Sequence, residues 1–277
     1  MNTKLSSENY LNECMIGMKV YDICRQQDCL VPTLNNDFKE KGKLPIKPAR
    51  NGTAFPIQIL NQDKTTSVTI QPNDLFCLKG LISNLKIVPD TLETVITVNS
   101  ITKSSCLGEG YWDVVIQYRF NYAIQLFYAN EQIAYVFIDG KPANAMQAYS
   151  TYKKQVTLYG GKGVKGVVNS LGILPNFGGM NPIHFIQAKA DILSAEICEL
   201  PENQCTPQPT ICGGTCTAVC VTIGLFTIIA LGRMVKYNNI SLGSCNIPEC
   251  DQKIPAIPCE LFNELPFPFE EFNPDNE

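Results

Sequence analysis

From Val114 to Tyr128 the chain alternates. Val114, Ile116, Tyr118, Phe120, Tyr122, Ile124, Leu126 and Tyr128 occupy every second position, with Gln117, Arg119, Asn121 and Gln125 among the residues between them. Successive side chains of a strand point to opposite faces, so this period predicts a strand with one face on a core and the other on water or a partner. Fifteen residues is long for a single strand, and a bend or bulge is expected within it. Further strands are expected near Ser67–Gln71, Thr94–Ile101, Ile133–Ile138, Lys154–Tyr159 and Asp191–Leu200, separated by clusters of Gly, Pro and Asn. Amphipathic helices of useful length are scarce. The fold class is therefore all-β, an antiparallel sandwich-like or barrel-like core.

Three zones follow. Residues 1–50 read as an N-terminal arm with three cysteines, residues 51–255 as the β-rich core, and residues 256–277 as a tail of prolines, phenylalanines and acids. The prolines from Pro255 to Pro274 predict neither regular helix nor central strand in that tail. Its phenylalanines, Phe262 and Phe267 among them, would be costly to leave in water and are expected to dock, on this core or a neighbour's. Inside the core the order strand, cysteine loop, long strand occurs twice, leaving room for two related β units dividing near residue 155.

The stretch "TICGGTCTAVCVTIGLFTIIALGRM", Thr210 to Met234, admits three readings. Its apolar run Val219–Leu231 has thirteen residues, too few for a membrane-spanning helix, which needs about 18–20. The run is strongly β-branched, and a strand buried on both faces accounts for it better. Zinc is the second reading, because thiolates bind it well. Against it, Cys212, Cys216 and Cys220 have three residues between them, no gap of two occurs anywhere, and the lone histidine, His184, lies far from any cysteine in sequence. Disulfide chemistry, within or between chains, is the third.

The chain has thirteen cysteines. An odd number cannot be exhausted by pairing inside one molecule. A chain of 277 residues has enough core not to need dense stapling, so cysteines on loops and end zones are better placed to link subunits. The candidates for disulfides or crosslinks are Cys14, Cys24, Cys29, Cys205, Cys212, Cys216, Cys220, Cys245, Cys250 and Cys259. Cys77, Cys106 and Cys198 lie in or beside expected strands and read as buried apolar residues. Dense cysteine implies an oxidising setting, yet "MNTKLSSENYLNEC" has no basic start followed by an apolar run, and no secretory leader is expected. That combination fits a protein made in a cytoplasm and used outside it.

Other chemistry is weaker. A net charge of −4 and a pI near 5.2 disfavour nucleic acid as a partner. Gly161, Gly163 and Gly166 match a dinucleotide fingerprint in spacing but lack the following helix and acid. Glu109 and Asp113 flank the only tryptophan, Trp112, which would suit a sugar, although a loop packing its tryptophan on the sheet is the simpler account. No cofactor, no metal and no catalytic residue is expected. Eight of the eleven tyrosines fall between Tyr111 and Tyr159, which fits core packing or a subunit interface.

Four stretches carry a resemblance: "VYDICRQQDCL", "VTIGLFTIIALGRMV", "CNIPEC" and "CELFNELPFPFEEF". They resemble the cysteine-rich spore-envelope proteins of clostridia, of the type that builds the crystalline basal layer of the exosporium. These stretches lie at both ends of the core. The resemblance implies a non-enzymatic structural protein of the spore surface, exosporium or outer coat, synthesised in the mother-cell cytoplasm. Its partners would be itself and other spore-envelope proteins, in a lattice locked by disulfides. The main rival is a zinc-thiolate β protein with a binding function.

Overall fold

The computed structural model describes residues 14–32, 49–78, 80–163, 168–171, 174–178, 181–200, 216–238 and 259–268. In chain order its strands are β1 (Cys14–Leu30), β2 (Arg50–Asn51), β3 (Ile57–Leu60), β4 (Ser67–Ile70), β5 (Asn84–Ile87), β6 (Glu93–Lys103), β7 (Tyr111–Phe127), β8 (Val136–Ile138), β9 (Lys141–Ala143), β10 (Met146–Tyr159), β11 (Val168–Leu171), β12 (Leu174–Gly178), β13 (Ile183–Leu200) and β14 (Cys216–Asn238). One short helix, α1, spans Cys259–Glu264. The fold is all-β and antiparallel.

Two long sheets carry the core. The first has the order β1-β14-β13. The second runs β2-β10-β7, and β5 and β6 share the remaining side of β7 end to end. A four-stranded sheet, β4-β3-β8-β9, and the hairpin β11-β12 complete the set. The sheets are open, so the architecture is sandwich-like and not a closed barrel.

Period two decides which faces meet. The even positions of β7, from Trp112 to Leu126, and those of β10, from Met146 to Leu158, point inward and are buried. Val219, Val221, Ile223, Leu225, Ile229 and Leu231 of β14 join them in one continuous core. The opposite face of β14 is covered as well, where Phe226 and Ile228 pack with Cys29 and Phe262. Every residue from Ala218 to Gly232 is consequently buried, as expected for a strand sandwiched on both sides.

Several expectations need correction. β7 runs without interruption against β10 from Tyr111 to Ile124, and the irregularity sits in its neighbour β6, between Val98 and Ser100. An extra residue in β7 would turn half of its inward set outward, so the edge strand absorbs the mismatch. β10 begins at Met146, not at Lys154, because two of its inward positions are the polar Ser150 and Lys154, which hide the alternation. Residue 155 accordingly falls inside β10. The arm contains a seventeen-residue strand, β1. In the tail, α1 fits between Pro258 and Pro266, since proline is compatible with the flanks of a helix.

Candidate functional site

The described cysteines separate into distinct environments. Cys198 and Cys220 form a disulfide joining β13 to β14. Cys198, expected as a buried apolar residue, is thus covalently engaged. It lies diagonally across the ladder from Cys220, whose direct partner is Glu196. Cys24 and Cys29 are disulfide-bonded too. They lie on opposite faces of β1, Cys24 in the inter-sheet core and Cys29 against Phe262. Cys77 is buried, in an isolated bridge to Ala218. Cys106 differs from expectation: it is an exposed free thiol in the turn between β6 and β7. The backbone places Cys14 opposite Asn238, Cys216 opposite Leu200, and Cys259 at the start of α1. Cys205, Cys212, Cys245 and Cys250 lie outside the described residues.

Between the two sheets sits a polar cluster that the sequence did not announce. Lys154 of β10 donates to Asp28 Oδ2 of β1, and both residues are buried. Tyr118, Tyr152 and Thr227 are buried around them. Burial raises the Tyr118 and Tyr152 hydroxyls far above the usual phenol range, and the negative charge of Asp28 raises both further. The Tyr118 and Thr227 hydroxyls approach each other, which offsets part of the rise at Tyr118, but neither makes a hydrogen bond of good geometry. A second inward hydroxyl is satisfied: Tyr122 and Ser150 share a hydrogen bond of 2.7 Å. Desolvation offsets most of the attraction within such a buried pair, whereas losing one partner alone is costly.

At one end of the sandwich Arg233 of β14 ties the sheets together. Its Nε donates to the Gly160 carbonyl and one terminal nitrogen to the Gly161 carbonyl, both at 2.9 Å. Trp112 Nε1 donates to the same Gly161 carbonyl at 3.1 Å. Gly161 has φ +72°, the left-handed region that favours glycine. Gly160 and Gly161 therefore offer their carbonyls to Arg233 and Trp112.

Of the residues suited to a sugar, Glu109 and Trp112 line one cleft and Asp113 does not. That cleft, of about 360 Å³, is lined by Glu109, Tyr111, Trp112 and Lys162, among others. Trp112 is only 2% exposed, leaving no ring face for a ligand. Asp113 points to the outer face and accepts from the Thr157 hydroxyl at 2.5 Å. The hydrogen bond from Lys162, and then its charge, hold the Glu109 carboxyl below the ordinary carboxylate range. A glycosidase general acid requires the reverse shift. Nor do metal-binding groups gather: no cluster of three or more His, Cys, Asp or Glu side chains occurs among the described residues. His184 is exposed on β13, opposite Leu231. No described helix is long and apolar enough to cross a membrane.

The remaining feature is the flanks of the first sheet. β13 and β1 are its outer strands, eighteen and seventeen residues long. In β13 no residue from Ile183 to Glu199 is buried, in contrast to β14 beside it. No family model, curated protein or solved structure matches the chain.

Proposed function

We propose that this chain is a structural protein of a bacterial spore's outer layer, self-assembling into an array stabilised by disulfides. The observation that carries the reading is the thirteen cysteines, an odd number, in a chain whose described residues form antiparallel sheets. Three lines support it. Four described cysteines are engaged in disulfides, which marks the chain as one built for an oxidising setting. Cys106 adds a thiol that is exposed and unused. The first sheet ends in long strands on both sides, the geometry from which β proteins associate. On this reading packing between β surfaces sets the lattice, and oxidation of thiols left over from internal pairing makes it resistant. Self-association, contact with other spore-envelope proteins and a place in the exosporium or outer coat form one functional account.

The test is gel electrophoresis of alkylation-blocked protein, heated in detergent with and without reductant. The expected result is a high-mass ladder that collapses with reductant to one band at 30.7 kDa. A monomer band in both lanes refutes covalent assembly.

A further inference from the structure

We infer that the outer edge of β13 is a self-pairing surface, on which a second copy of this chain adds its own β13 antiparallel about a two-fold axis at Ala190. This deepens the self-assembly reading and rests on it. β13 is hydrogen-bonded to β14 along one side, and no described strand pairs with the other. An edge of this length presents a row of N–H and C=O groups ready to pair.

Proteins that must stay apart defend such edges with a lysine or a bulge in mid-strand. β13 has both: Lys189, and an irregularity between Ile192 and Ser194. The lysine is accompanied, however, by a carboxylate on the same face. Asp191 stands two positions on, with Lys189 Nζ 4.0 Å from its Oδ2, and the two side chains are 34% and 52% exposed. A lone mid-strand lysine would face its own copy and repel it. A Lys-Ala-Asp sequence does not. In an antiparallel pair centred on the middle residue, each Lys189 lies opposite the second copy's Asp191, so two ion pairs form by symmetry.

The register is selective. Centring the pair on Lys189 sets lysine against lysine, and centring it on Asp191 sets carboxylate against carboxylate. Only Ala190 at the axis brings both opposite pairs together. The inward positions of this segment, Ala188, Ala190 and Ile192, already pack against the margin of the core. A second copy would extend that apolar strip with the same three residues. Residues 188–192 pair before the irregularity is reached on either strand. The result is one sheet of six strands shared by two molecules, a closed two-fold contact that leaves β1 of each available to other neighbours.

The experiment is sedimentation velocity of the full chain in reductant, so that disulfides hold no copies together. It compares wild type, Lys189→Asp, Asp191→Lys, the double swap and an equimolar mixture of the two single variants. Wild type is expected to dimerise, and each single variant, with two like-charge pairs across the axis, to dimerise ~30-fold more weakly. The double swap and the mixture both restore opposite charges and are expected to pair as wild type does, which also shows that the single variants fold. Single variants that dimerise like wild type would overturn the edge inference and leave array formation standing. So would a wild type that is monomeric in reductant yet crosslinked on the non-reducing gel. Single variants rescued by neither the swap nor the mixture would overturn the two-fold register. A wild type that is monomeric under reducing and oxidising conditions alike would remove the assembly reading together with the edge.

Discussion

Replacing Lys154 by Met tests the central claim about the inter-sheet cluster. Lys154 and Asp28 are each at most 8% exposed, and their pairing joins β10 to β1 across the sandwich. Removing the ammonium leaves the carboxylate in a space already occupied by the Tyr118 and Tyr152 rings. Breaking one side of a buried pair costs about 3–5 kcal/mol, a large share of a domain's usual ~5–15 kcal/mol. Replacing both, Asp28→Leu with Lys154→Met, removes the unpaired charge and is expected to come within ~1 kcal/mol of wild type or above it. The assay is urea unfolding at one fixed protein concentration, followed by tryptophan fluorescence. The only tryptophan, Trp112, is 2% exposed and hydrogen-bonded to Gly161 in the same core, so its emission reports the loss of sheet packing. The single variant should shift the midpoint without changing the slope, since the surface exposed on unfolding is the same. A loss below ~1 kcal/mol in Lys154→Met would falsify the view that this pair is desolvated, because water would then be solvating the remaining carboxylate.

Three further outcomes are expected. Tyr118, Tyr122 and Tyr152 have pKa values raised chiefly by burial; their neutral forms are favoured in the fold, so the stability they contribute is intact below the ordinary tyrosine value near 10 and is lost as pH climbs above it. Tyrosinate absorbance should therefore show these three ionising together with a cooperative loss of β circular dichroism above pH ~10, and independent titration before unfolding would contradict their burial. Gly224→Ala would place a Cβ 2.3 Å from a Phe262 ring atom, so α1 should be displaced and the chain cut by protease near residues 259–268 while the main sheets stay resistant; unchanged proteolysis would mean that Phe262 does not seat on β14. Among the described cysteines, Cys106 should be alkylated first in native, unreduced protein, and buried Cys77 only on unfolding, as peptide mass mapping of a time course would show.

The sequence made the core legible where each inward position was apolar. β7 and β14 were found this way, β7 by alternation and β14 by an unbroken β-branched run, and their buried faces lie where the pattern put them. Legibility failed where an inward position was polar. Lys154 and Ser150 interrupt the alternation of β10, and only the folded chain shows that Asp28 and Tyr122 satisfy them. β1 was missed for the same reason: Arg25, Gln26, Gln27 and Asp28 mask any period, and its strand character comes from the ladder with β14. The candidate site was read less fully. Spacing cannot specify which thiols meet, and Cys198–Cys220 depends on a diagonal across a register that includes an irregularity between Ile192 and Ser194. The edge of β13 was invisible because an edge is a property of strand order, and no local pattern encodes that its neighbours are β14 on one side and no described strand on the other.

The partnership of β1 with β14 has a consequence in time. Leu30 pairs with Ile223 and Cys14 with Asn238, so β1, the earliest made of the described strands, needs β14, the latest of them. At ~5–20 residues per second, the roughly 200 residues between them mean a wait of ~10–40 s. During that interval the second sheet can form, but its inward face has nothing to cover it until β14 arrives. Loop closure over such a span is slow as well. The nascent chain is therefore most vulnerable to premature association just before β14 is made, and any helper that shields β7 and β10 for those seconds should raise the yield of correctly folded subunits.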